Sequence, residues 1–193
     1  MSEYIFLGKV PESPEDRQKL LAQRAAMEDY FVQAQLTQVQ RRVAELLTVQ
    51  KGYSLDDIEA NKEFTIELPD GSFCVTADFV LKHNGRRFMV VKCVMSSMES
   101  WERHAVAFCR VVEPCQIPLA VVTDSEAARV LDAVTGAPVG EGMEAIPSRE
   151  DAERIVRETV FTPYPAERAE REKRILFAFD AIKCSTKLSG EEE

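Results

Sequence analysis

The sequence predicts an α/β fold in the order helix, three antiparallel strands, crossover helix, strand and helical C-terminal additions. Two features carry that prediction. The run "SFCVTADFVL", "HNG", "RRFMVVKCV" has strand composition on both sides of a turn. Helical periodicity then leads into "LAVVT", a short apolar run typical of a buried strand.

The elements follow in order. Ser13 is an N-cap, Pro14 fits the first helical position and acids fill the first turn of "SPEDRQKLLAQRAAMEDYF". In "LTQVQRRVAELLTVQKG", Val39, Val43, Leu46 and Leu47 form one stripe that closes at Lys51 and Gly52. The pattern leaves open whether these helices join or break between Gln33 and Leu36. Ser54 caps a turn, "EFTIEL" alternates as a strand, and "PDG" turns the chain into the second strand.

Trp101, Ala105, Phe108 and Val112 recur at helical spacing, so residues 97–112 form an amphipathic helix lying on the sheet, with Trp101 as a core anchor. "DSEAARVLDAV" reads as a short helix followed by the turn "TGAP". "SREDAERIV" opens at capping-box spacing. A last helix spans about Ala166 to Cys184, with Ile175, Phe177, Ala178 and Ile182 apolar for packing back or for association. The acidic "SGEEE" reads as a disordered tail. The expected organisation is a helical extension over 1–36, a core domain over 37–160, and a C-terminal helix and tail over 161–193.

Composition removes several function classes. Five cysteines without a C-x-x-C pair read as reduced thiols, and two histidines without companion ligands argue against a zinc site or a hydrolytic triad. No apolar run is long enough to cross a bilayer, so the chain reads as soluble and cytoplasmic with no membrane partner. A net charge of −9 disfavours non-specific DNA binding while leaving room for a local basic patch.

The element order, with "VAELLTVQKGYSLDDI", "TADFVL", "MVVKC" and "IPLAVVTD", resembles the N-terminal nuclease domain of type I restriction enzyme R subunits, over about Thr37 to Ile155. The resemblance implies a restriction-endonuclease-like core of the PD-(D/E)XK superfamily. It also implies a site built from a helix glutamate, a strand aspartate and an E-x-K strand. Asp78 matches the aspartate and Lys92 the lysine. Val90 stands at the glutamate of E-x-K, and the helix acid falls near Thr37 or Gln38, neither of which is acidic.

Mg²⁺ is the implied cofactor if the site is active, and there is none otherwise. The ion needs one or two carboxylate anchors before it can orient a water at a phosphodiester. Asp78 alone is a poor anchor, so a relocated acid is sought on the following helix. Glu102, at the edge of the buried stripe, is the candidate second metal ligand and catalytic residue. Glu99 is read as an ion-pair partner of Arg103.

The hairpin register decides whether Asp78 and Lys92 meet. A two-residue Asn84-Gly85 turn alone would put them on opposite faces. A three-residue loop, His83 to Gly85, pairs Lys82 with Arg86 and sets Asp78 opposite Val90 with Lys92 diagonal on the same face. The second register is preferred because it also gathers Val75, Ala77, Phe79, Leu81, Met89, Val91 and Cys93 into one core layer, turning Cys93 away from Lys92.

Lys82, Arg86 and Arg87, with His83 beside them, are the candidate nucleic-acid contacts at the hairpin tip. Arg41 and Arg42 form a second basic pair. The leading expectation is a catalytically impaired domain acting in nucleic-acid or protein binding or as a partner protein, with Lys92 read as a partly buried lysine paired with Asp78 rather than as working chemistry. The alternatives are an active Mg²⁺-dependent DNA endonuclease using Asp78, Lys92 and Glu102, and an interaction domain that touches no nucleic acid. The partners left open are DNA, another protein and a second copy of the chain.

Overall fold

The computed structural model describes residues 13–188, with side chains through Asp180. The tail "SGEEE" and the side chains of Ile182 and Cys184 lie outside the described residues. Helix α1 (Pro14–Gln33) starts at the Ser13 cap, and α2 (Gln38–Glu45) starts at a capping box in which Thr37 and Gln40 bond each other's backbone. The two helices break at Gln35, which takes a left-handed φ of 51°. A π turn over Leu46–Gln50 extends α2 and buries both Leu46 and Leu47.

Six strands make one mixed sheet in sequence order: β1 (Ile58–Leu68), β2 (Gly71–His83), β3 (Arg86–Cys93), β4 (Leu119–Thr123), β5 (Ala128–Asp132) and β6 (Pro138–Glu141). All neighbours are antiparallel except β3 and β4, which are parallel and joined through α3 (Glu99–Val111). A parallel pair needs such a crossover because the chain must return to the same end of the sheet.

Phe79, Leu81, Met89 and Val91 pack beneath α1, α2 and α4 (Arg149–Glu158), with Val43, Leu47 and Ala152. Val80, Val90, Ala120 and Val122 face the opposite way, toward Ala105, Phe108 and Cys109 of α3 and Leu176 of α5 (Ala166–Leu188). Helices on both faces of the sheet explain why β3 and β4 are almost continuously apolar.

Several expectations are corrected. "DSEAARVLDAV" supplies β5 rather than a helix. Its apolar residues happen to fall at i, i+3 and i+4, but Asp124 accepts the backbone N–H groups of Glu126 and Ala127 at 2.9 and 2.8 Å. Ser125 has a φ of 81°. That tight turn reverses the chain straight out of β4, so the additions to the core include a hairpin as well as helices.

The predicted single layer on β2 is also divided. Val75 and Ala77 pack with the α3 side, Phe79 and Leu81 with the α1 side. The changeover falls at Asp78, beyond the last β2–β3 pair, Phe79 with Val91. On α5, Leu176 is the fully buried residue and Phe177 is half exposed, its ring meeting Phe73 edge-on at 5.3 Å.

Candidate active site

The hairpin tip does not have the expected three-residue loop. Asn84 and Gly85 both take positive φ, 50° and 76°, and form a two-residue turn that pairs His83 with Arg86 and Lys82 with Arg87. Turns of this handedness match the twist of the flanking strands, which is why Asn-Gly favours them. The extra residue sits further in, as a bulge at Phe88, after which Leu81 pairs with Met89 and Val80 with Val90. Continued one step past the last pair, this register sets Asp78 opposite Lys92 rather than Val90.

There the two strands part, and the Asp78 side chain fills the gap. Its Oδ2 accepts the Cys93 backbone N–H at 3.0 Å and lies 2.7 Å from Lys92 Nζ. Its Oδ1 accepts the Gln40 Nε2 amide at 2.8 Å. The Asp78 and Lys92 side chains are 16% and 9% exposed. The Lys92 ammonium also lies 5.3 Å from the centre of the Trp101 ring, a cation–π distance.

Gln40 is the residue the sequence reading missed. Two signals pointed to it. It completes the T-x-x-Q capping box with Thr37, and it is the polar member of the stripe Gln40, Val43, Ala44, Leu47 that α2 and its π turn bury. Its Oε1 accepts from the Thr37 backbone N–H and hydroxyl at 2.9 and 3.0 Å. Its Nε2 donates to Asn61 Oδ1 at 2.8 Å as well as to Asp78. Asn61 interrupts β1 with a φ of 47°, and its Nδ2 donates to Ala34 O at 2.7 Å in the α1–α2 linker.

Val90 is 2% exposed and packed among the apolar residues under α3. Glu102 does not join Asp78. Its carboxylate accepts Arg129 Nη1 at 2.8 Å, on β5, three strands from β2. At ~4.8 Å per strand that separation is roughly 14 Å of sheet. Glu99 bonds Ser97 rather than Arg103, which pairs instead with Glu172 at 2.6 Å. Among the described residues, no group of three or more His, Cys, Asp and Glu side chains forms a metal-holding cluster.

The basic cluster at the tip is dispersed. Arg87 forms a bidentate pair with Glu59, at 2.6 and 2.8 Å, and also bonds Glu113. The Glu59 bond is the main reason its guanidinium is held above its ordinary pKa. Arg86 is exposed, with its guanidinium 4.5 Å from the Phe161 ring centre, and Lys82 is partly buried. His83 is buried. The Cys93 thiol is pushed well up by burial and then by Asp78, against the opposing effect of Lys92. It is therefore a protonated packing residue rather than a nucleophile.

Fold and site together define an α/β domain with a mixed six-stranded sheet and a partly buried carboxylate–lysine pair where two strands diverge. Residues 37–147, more than half the chain, match the model of the type I restriction enzyme R protein N terminus (HSDR_N), and the chain belongs to that family. No curated protein and no solved structure matches it. Among the described residues, no helix is long and apolar enough to cross a membrane.

Proposed function

We propose that this chain is a restriction-endonuclease-like domain of the PD-(D/E)XK kind that does not cleave DNA and works through binding, with protein contact favoured over nucleic acid. The observation that carries the reading is the state of Asp78. Both of its oxygens accept protein donors, Gln40 on one side and Cys93 and Lys92 on the other. A hard cation takes oxygen ligands with free lone pairs, and the nearest side chains here offer an amide N–H and an ammonium. The donor set does not fit Mg²⁺.

Val90 supports the same reading, since a buried valine cannot ligate. The commitment of Glu102 to Arg129 argues against its use as the relocated acid. Protein contact is favoured over DNA because Lys92 is sealed, Arg87 already serves two carboxylates, and the net charge is −9.

The test is incubation with supercoiled and single-stranded DNA in Mg²⁺ and in Mn²⁺, with gel-shift binding measured alongside. The wild type is expected to cleave neither substrate and to retard neither at physiological salt. Cleavage lost in Asp78→Ala, Lys92→Ala and Glu102→Ala would overturn the reading in favour of an active nuclease. A salt-dependent shift lost in Arg86→Ala would move the binding role to nucleic acid.

A further inference from the structure

We infer that the resident cation of the Asp78 site is the Lys92 ammonium, and that Gln40 is the residue that keeps a divalent metal ion out. This rests on the non-cleaving reading and adds to it the residue responsible. The argument turns on the direction of the hydrogen bonds. An amide can face a carboxylate only by donating, and Gln40 is fixed in that sense at both ends. Its oxygen is held by two donors of Thr37, and its nitrogen by the oxygens of Asn61 and Asp78. Rotating the amide by half a turn would set oxygen against oxygen at Asp78 and at Asn61, and nitrogen against the N–H of Thr37. The donor orientation is thus the one that satisfies every contact.

Asn61 holds a conformation uncommon for a residue with a side chain, at the one place where β1 is irregular. Around it, Tyr30 accepts the Ala60 N–H and donates to Ile58 O, both at 3.1 Å, so α1 holds this part of β1 in place. The site therefore carries one carboxylate, one ammonium and two oriented amides, and its formal charge is zero. A divalent ion entering it would displace the ammonium and meet the Gln40 N–H groups head-on.

The same geometry shows how the site would be inverted. With a carboxylate at position 40 and no ammonium at 92, the oxygens of Asp78 and Asn61 and the new carboxylate converge. That is a hard-oxygen cluster with a formal charge of −2.

Trp101 is the sole tryptophan and lies against Lys92, so its fluorescence reports on the site directly. The experiment titrates Mn²⁺, a paramagnetic quencher, into wild type, Asp78→Asn, Lys92→Met and the double variant Gln40→Glu/Lys92→Met, with calorimetry in parallel and no DNA present. Wild type and Lys92→Met are expected to show no saturable response. The double variant should bind at least about tenfold more tightly than either, the scale on which a change in a metal's ligand surroundings moves affinity.

A saturable wild-type response that Asp78→Asn abolishes overturns the inference, and that arm stands even if the double variant does not fold. A folded double variant that stays silent overturns the assignment to Gln40. A wild type that cleaves no DNA yet binds Mn²⁺ at Asp78 sinks this inference and leaves the non-cleaving reading intact.

Discussion

Two carboxylates are enclosed by basic partners in this molecule, and they are held in different ways. Asp78 is met by a lysine, a side-chain amide and a backbone N–H, all supplied by α2 and β3. Glu172, on α5, is 3% exposed and is met by Arg103, Arg110 and the Tyr164 hydroxyl, the last at 3.0 Å. Arg110 is drawn in further by donating to Ala133 O and Val134 O at the end of β5. The Asp78 site thus mixes neutral with charged donors across two adjacent strands. The Glu172 site uses two guanidiniums to tie α5, beyond the matched 37–147 segment, onto the sheet and its crossover helix. The difference matters when a partner is lost. Asp78 without Lys92 remains a partly exposed carboxylate that two donors still satisfy, whereas Arg110 without Glu172 keeps two carbonyl acceptors but is a nearly enclosed cation with no counter-charge.

The largest expected effect is therefore at Glu172. Replacing it with alanine leaves Arg110, only 11% exposed, without its counter-charge. The cost should be about 3 kcal/mol, the lower end for breaking a buried pair, because Arg103 can turn to water. The shift in urea midpoint measures it. A loss smaller than that of Lys92→Met would break the comparison.

At the other site, Lys92→Met should cost about 2 kcal/mol, because Asp78 keeps Gln40 and the Cys93 N–H as donors. A double-mutant cycle with Asp78→Asn isolates the pair. The two substitutions together should cost less than their sum by about 1 kcal/mol or more, as expected for residues in one network. Strict additivity would mean that the 2.7 Å contact contributes nothing of its own.

How far each site could be read from sequence follows from the same contrast. That Asp78 and Lys92 share a face was legible although the predicted register was not. The predicted pairing opposed Asp78 to Val90 and the observed one opposes it to Lys92, a two-residue difference, and a shift of two preserves the face. The bulge at Phe88 was hidden because the sequence does not mark where an extra residue will be absorbed. Gln40 and Glu172 went unnoticed for one shared reason. Each is the polar residue that begins an apolar stripe, Gln40 before Val43, Ala44 and Leu47, and Glu172 before Ile175, Leu176 and Phe179. Spacing places such a residue on the buried stripe, but its polarity assigns it to solvent, and the sequence reading followed the polarity. What holds it inside is a hydrogen-bonding partner on another element, tens of residues away: Asn61 and Asp78 accept from Gln40, and Arg103 and Arg110 donate to Glu172, pairings that local spacing does not specify. The β5 strand was misread for the complementary reason, a short segment whose spacing suits a helix until a turn at Asp124 fixes it otherwise.

The smallest expected effect belongs to a third ion pair, which serves as a control for the other two. Glu59 pairs with Arg87 on the same sheet, but both side chains retain contact with water, at 22% and 26% exposure. The hydrogen bonds from Arg87 hold its carboxyl below the ordinary 4.5, against some opposition from burial. A depressed folded-state pKa contributes stability that is complete above the unfolded value and lost as pH falls through the folded one. Solvent screening limits that contribution to under ~1 kcal/mol. Glu59→Gln should therefore cost little at neutral pH and flatten the stability profile only below about pH 4.5. Its deficit should shrink in high salt, while those of Glu172→Ala and Lys92→Met should hardly change, because enclosed pairs are screened far less than wet ones. If salt diminishes all three deficits alike, Asp78 and Glu172 behave as surface charges, and the contrast between enclosed and solvated pairs fails.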